Sequence, residues 1–419
     1  MDLLADEAFC AACDGRLMSA GRGQHARRMD RGVDSIFLGE GRSIGGFLRD
    51  RWIDMCDGLG LPRSMSEPVT DQVRDLLRPW ADMPVGQESP FPSYVADDGF
   101  PAEMSVKWSR GRPELRILFE TLGASRPITA VSNQTAAVAL TDRLAAEPTV
   151  GLDRYGKVAD VFMPNTGQAA APVPVWHSLA WRPGRPPAFK IYFGLYAVPL
   201  HERHALVREA MERLAMGSAW ADVRARVAQG AQTDGAEREL EFFALDLDSG
   251  ARSRAKVYYR NHTRSVAVLE QMASLARAHE PHRARSAFRA LLGTAPDGAG
   301  ETPLTCLAFR PGAPRADEST TYFRVSSFTT SDAEAAVRIG ALMAHEGIDP
   351  QRHHALLDAV APRPLSRSSG LQELVSYRSL GHEGDVCVYF RFPIYPQPSP
   401  QPCPPPRPLR TALQEDAHR

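Results

Sequence analysis

The chain has 419 residues, with 49 basic against 50 acidic side chains and a formal net charge of -1. That balance excludes a globally basic surface, and with it the electrostatic footprint of a nucleic-acid binder. At 43% hydrophobic and 24% charged, the composition is that of a globular protein able to bury a sizeable core.

Only four of the basic residues are lysine (Lys107, Lys157, Lys190 and Lys256); the rest are arginine, a skew that reads as coding bias. The sequence begins Met-Asp-Leu-Leu-Ala-Asp-Glu, with acids where a secretory signal needs a basic start and a long apolar run. No run approaches ~18 consecutive apolar residues, so no membrane helix is expected. The cysteines (Cys10, Cys13, Cys56, Cys306, Cys387 and Cys403) show no disulfide framework, and a reducing, cytoplasmic compartment is expected.

In chain order, the first amphipathic helix is expected over 69–77, followed by strands at 103–108 and 115–120. A helix at 129–146 precedes a strand at 188–193, and a long helix at 204–228 precedes strands at 241–247 and 254–259. A helix at 264–278 leads to strands at 305–309 and 320–326. The last helix, 331–346, opens with Ser331 and Glu334 in the spacing of a capping box, and strands at 373–378 and 386–392 follow it. Paired strands split by turn-like segments at 110–113 and 182–187 argue antiparallel hairpins, hence an α+β arrangement rather than a doubly wound sheet. From Pro393 onward the chain is proline-rich, lacks core residues and reads as an extended tail.

Several of these strands carry one unusual face. Side chains two apart share a face, so Arg254, Lys256 and Tyr258 lie together, opposite Ala255, Val257 and Tyr259. Lys190 stands with Tyr192, Tyr322 with Arg324, and Tyr389 with Arg391; Arg116 lies in a similar strand. The ordinary meaning of such alternation is a solvated face. Against it, the polar positions are almost all cations or tyrosines, with few acids mixed in. Converging cations suit a multiply charged anion such as diphosphate. Tyrosine rings stabilise a cation by roughly 0.5–2 kcal/mol each, and they exclude the water that would quench it. Together these groups suit a substrate that separates into diphosphate and an allylic carbocation. Glu103 shares a face with Ser105 and Lys107 and is a candidate acceptor for a substrate N–H, the alternative being a surface carboxylate paired with Lys107.

The order and spacing of these residues resemble the dimethylallyltryptophan synthase type of indole prenyltransferases, especially bacterial members. Pro101 to Ser105, followed by Pro113 to Glu120, resembles the family's glutamate-bearing strand and first diphosphate arginine; the Lys190/Tyr192 and Arg254/Lys256/Tyr258 frames are its most diagnostic. The resemblance runs from about Pro101 to Phe392. It implies one domain (1–393) of repeated ααββ units, the ABBA prenyltransferase barrel of ten antiparallel strands ringed by helices, followed by a tail (394–419). It implies metal-independent transfer of dimethylallyl from its diphosphate to the indole of tryptophan or a tryptophan-derived metabolite. No cofactor would be required, the partners would be small-molecule donor and acceptor, and the protein would be a monomer or homodimer. Arg116, Lys190, Arg254, Lys256 and Arg391 would hold the diphosphate. Tyr192, Tyr258, Tyr322 and Tyr389 would shield the cation. Glu103 would take the indole N–H, and His177, where some relatives have a lysine, would be the base for the ring proton, the alternative being a histidine that merely fills a strand start. Thr320 departs from the glutamine common in fungal relatives. The strand at 305–309 is expected to floor the prenyl pocket, where small Thr305 would admit a longer donor such as geranyl diphosphate. A non-catalytic barrel binding an anionic small molecule, or a prenyltransferase acting on a phenolic acceptor, is the alternative.

Other signals carry less. The glycines from Gly39 to Gly46 have the wrong spacing for a dinucleotide loop. Cys10 and Cys13 have no second pair, and His201/His204 and His353/His354 lack the i, i+4 ligand spacing. Asp97-Asp98 stands alone, with no aspartate-rich magnesium motif.

Overall fold

Every hairpin expected from the sequence forms, and a strand with no alternation supplies the missing partner. The computed structural model describes residues 38–96, 98–109, 113–164, 172–235, 238–250, 253–293, 301–381 and 383–395. Cys10, Cys13 and Cys403 lie outside them, as do 396–419 of the expected tail.

Five helix-pair and hairpin units follow one another. The first is α1 (Ile44–Gly58), α2 (Arg63–Leu76), β1 (Ala102–Trp108) and β2 (Glu114–Glu120). Next come α3 (Ala130–Leu144), α4 (Asp153–Phe162), β3 (Val175–Trp181) and β4 (Ala188–Gly194). The third is α5 (Leu200–Arg213), α6 (Gly217–Asp234), β5 (Glu239–Asp246) and β6 (Ala255–Arg260). Then follow α7 (Val266–Ala273), α8 (Pro281–Leu292), β7 (Leu304–Phe309) and β8 (Glu318–Phe323). The last is α9 (Asp332–His345), α10 (Gln351–Val360), β9 (Gln372–Leu380) and β10 (Glu383–Phe390). All ten strands pair antiparallel with their neighbours, and β10 returns to β1 to close the barrel. Closure leaves no unpaired edge.

The main core lies between barrel and helices. Outward residues such as Ile117, Phe119, Ile191, Phe243, Val257, Leu307 and Val388 pack there with Trp52 and Trp220. Burying each such aliphatic or Phe side chain contributes about 1.5–3 kcal/mol. No helix among the described residues is long and apolar enough to cross a membrane.

Differences from the sequence reading have local causes. Strand β3 is buried on both faces, so it shows no period of two. The expected helix at 204–228 is two helices, broken where Ala215 takes φ 57°. Helix α1 begins inside the glycine-rich stretch: Ser43 caps it by accepting from the Gly46 amide, and a Cβ on Gly45 would meet the Ala81 carbonyl oxygen at 2.9 Å. Ser331 caps α9, but the Glu334 carboxylate returns to the Thr330 amide instead of that of Ser331. Ile394 and Tyr395, assigned above to the tail, are buried in the core, so the packed chain continues past Pro393.

Candidate active site

Residues directly opposite in an antiparallel pair share a face, so the register identifies the inner wall. Arg116 stands opposite Ser105, and Ser105 opposite Tyr389. Lys190 faces Asp246, Ala244 faces Lys256, Tyr258 faces Cys306, and Cys306 faces Thr320. Tyr322 faces Ser376, which also faces Cys387. The cationic and tyrosine faces therefore all point into the lumen.

Along the barrel axis these side chains form layers. At one end a cavity of about 300 Å³ is lined by Lys107, Arg116, Lys190, Arg254, Lys256 and Arg378, with Glu114, Asp246, Asp248 and Asp385 between them. Acids are thus more numerous here than the sequence suggested. They hold the arginines in place: Arg116 pairs with Glu114 (2.5 Å), and Arg254 with Asp246 (2.7 Å) and Glu318 (2.9 Å). Arg378 pairs with Glu318 (2.5 Å) and Asp385, and Lys107 with Asp385 (3.2 Å). Lys107 therefore belongs to this end and not to Glu103.

Lys190 is buried and Lys256 half-buried, and neither is in an ion pair among the described residues. Burial and the neighbouring Arg254 lower Lys256 to about 8. Burial, Lys256 and Arg116 hold Lys190 well below the ordinary lysine range. Asp246 acts on both ammonium groups without pairing with either, and a diphosphate would supply the direct ion pair.

The tyrosines form the next layer. Ring centroids are 6.2 Å apart from Tyr192 to Tyr258, 6.0 Å from Tyr258 to Tyr322 and 6.0 Å from Tyr322 to Tyr389. Burial raises all four phenols, Tyr192 to about 12, so they stay neutral. Cys306 and Ala244 complete this belt.

Beyond the tyrosines lies Glu103, two residues from Ser105 on the same face of β1. It lines a second, smaller cavity of about 50 Å³ with Tyr94, Arg324, Glu373 and Arg391. Trp176, Tyr196 and Phe242 form an aromatic cluster, with Trp176 and Phe242 centroids 5.0 Å apart.

The sequence model of the tryptophan dimethylallyltransferase family matches residues 69–356. The chain belongs to that family. Among solved structures, 6-dimethylallyltryptophan synthase from Micromonospora olivasterospora, in complex with DMASPP and Trp, matches with a TM-score of 0.76 and 27% identity, over 85% of this chain and 100% of that one. A 6-dimethylallyl tryptophan synthase matches at 0.76 and 29%, over 86% and 99%. The 5-dimethylallyltryptophan synthase from Streptomyces coelicolor matches at 0.75 and 25%, over 85% and 99%.

Within this member of the tryptophan dimethylallyltransferase family, nine of the eleven sequence candidates face the lumen at the levels described above. Two assignments need correction. Arg391 has the same face but another level: it lies just past the end of β10, four residues on from Cys387, ~13 Å at 3.3 Å per residue. It sits beside Glu373 (3.7 Å), at the Glu103 end. The cation of the last hairpin that lines the Lys190 and Lys256 cavity is Arg378 of β9, which the alternation did not single out, although it shares a strand face with Ser376.

His177 points outward. Its neighbours Trp176 and Ser178 face the lumen, while its ring bonds Thr141 Oγ1 of α3 (2.8 Å) and stacks on Phe119. Burial, helped by Arg143, lowers it to about 3, so it is a neutral core histidine and not the base. Thr305 also faces outward, accepting from Asn261 Nδ2 (3.0 Å); Cys306 is the lumen residue of β7 at that level. One-residue offsets of this kind reverse a side chain in a strand.

Proposed function

We propose that this chain transfers a dimethylallyl group from dimethylallyl diphosphate to the indole ring of tryptophan by electrophilic aromatic substitution. The observation that carries the reading is the stacking of three layers in one lumen: unpaired ammonium groups, neutral tyrosines, then a carboxylate.

Lys190 and Lys256 take the charge that develops on the leaving diphosphate, with Arg116, Arg254 and Arg378 around them. Fixed charges aimed at that position need no reorganisation as the C–O bond breaks. Tyr192, Tyr258, Tyr322 and Tyr389 present ring faces to the allylic cation and keep water away. Glu103 accepts the indole N–H, increases electron density in the ring and orients it toward the cation. The ring carbon attacks the cation left as the C–O bond to diphosphate breaks, and its proton passes to the released diphosphate, restoring aromaticity. The relatives act at indole positions 5 and 6, as their names state. All stabilising charge in this scheme comes from side chains, so no resident metal is needed. The test is incubation with dimethylallyl diphosphate and L-tryptophan, with and without EDTA. Prenyltryptophan in both supports the reading; donor binding without product across an indole panel overturns it.

A further inference from the structure

One buried carboxylate of the barrel wall takes no part in the scheme above. Glu120 ends β2, is 3% exposed and lies opposite Trp176 in the register. The other buried strand carboxylates, Glu241, Asp246 and Glu373, each have an arginine. Glu120 has neutral partners. Ser93 Oγ donates to its Oε2 at 2.6 Å and Asn133 Nδ2 of α3 to its Oε1 at 3.4 Å, while Trp176 adjoins it from β3.

Ser93 belongs to the segment that crosses the Glu103 end of the barrel. Its hydroxyl also accepts from the Val95 amide (3.2 Å), and its own amide bonds Phe91 and Gly99 carbonyls. The next residue, Tyr94, packs on Tyr196 at 4.6 Å and lines the same cavity as Glu103. We infer that Glu120 is a positioning residue: through Ser93 it fastens the 93–96 segment across the acceptor end and holds Tyr94 in the wall of that cavity. The word acceptor here rests on the proposed reaction; the fastening does not.

The fastening depends on protonation. Burial raises the Glu120 carboxyl to about 7. Glu103 of β1 stands on the same face, diagonal to it in the register, and the shift of Glu120 comes from burial among neutral partners, so the closed form favours the neutral acid and the opened, solvated form the carboxylate. Closure is therefore firmest below about 4.5, the ordinary carboxyl value, weakens as pH rises toward 7 and has lost this contribution above it.

Hydrogen exchange of the 93–96 amides at pH 6 and 8.5, corrected for intrinsic rates, tests this on the full chain. In the wild type, protection should fall by at least about fivefold, the factor for one hydrogen bond. Glu120→Gln should stay protected at both values, and Ser93→Ala should be unprotected at both. The KM for L-tryptophan should follow the same pattern while the KM for the donor does not. Equal protection in all three proteins, or donor and acceptor KM moving together, would overturn the inference. Exchange needs no turnover, so a chain that shows this pattern without prenylating tryptophan refutes the proposed reaction and leaves the fastening standing.

Discussion

Lys190 and Asp246 stand directly opposite each other in β4 and β5, yet the carboxylate is engaged by Arg254 at 2.7 Å and forms no ion pair with the lysine. The arginine's planar fork takes the carboxylate, which leaves the ammonium available to a ligand.

Donor binding should therefore be coupled to proton uptake. Lys256, lowered to about 8, is partly neutral in the unliganded chamber at pH 8, and burial beside Lys256 and Arg116 holds Lys190 well below the ordinary lysine range. A bound diphosphate favours their charged forms and raises both. Affinity is highest where the lysines are already protonated and falls as pH rises past 8. Titration calorimetry with inorganic diphosphate at pH 8, in buffers of different ionisation enthalpy, should show net uptake. Lys256→Met should reduce it.

The two late arginines should separate by substrate. Arg378→Ala removes a cation from the diphosphate end, and charged hydrogen bonds there contribute about 1.5–3 kcal/mol. The donor KM should rise roughly 10- to 150-fold. Arg391→Ala should leave the donor KM near the wild-type value and change that of the acceptor. Initial rates with each substrate varied in turn decide this.

Glu103 and His177 should respond in opposite ways. Glu103→Gln should lower kcat on the order of 100-fold with donor affinity intact, read by single-turnover rates and diphosphate binding. His177→Ala should keep kcat within a few-fold and lower the melting temperature, because the buried ring's stacking on Phe119 and its bond to Thr141 are lost. The neutral His177 ring also makes the fold acid-sensitive. Its pKa is lower in the folded state, so its contribution is full above about 6.5 and is lost as pH falls toward 3. Melting curves over that range should show less acid sensitivity in the alanine variant.

Donor length should depend on Cys306 and not on Thr305. Cys306→Gly opens space between Tyr258 and Tyr322 and should raise the ratio of geranyl to dimethylallyl transfer. Thr305→Gly removes the Asn261 bond outside the barrel and should affect stability alone. Product ratios from the two donors measure the difference.

Much of this was legible in the sequence. Alternation identified nine of the ten strands and the face that carries Lys190, Lys256 and the four tyrosines, because a period of two survives wherever one face is polar. Strand β3, buried on both faces, gave no such signal. The near-neutral charge concealed a chamber with two lysines outside any ion pair among the described residues, and the scarcity of lysine in the chain made those two positions conspicuous. Only the closed barrel decided the rest. Register set the level of each side chain along the axis, which separated Arg391 from Arg378. Packing against α3 turned His177 outward and gave Glu120 neutral neighbours. Periodicity assigns a face within one strand, whereas depth in the lumen and the partners across it depend on how ten strands are staggered against each other and against the helices.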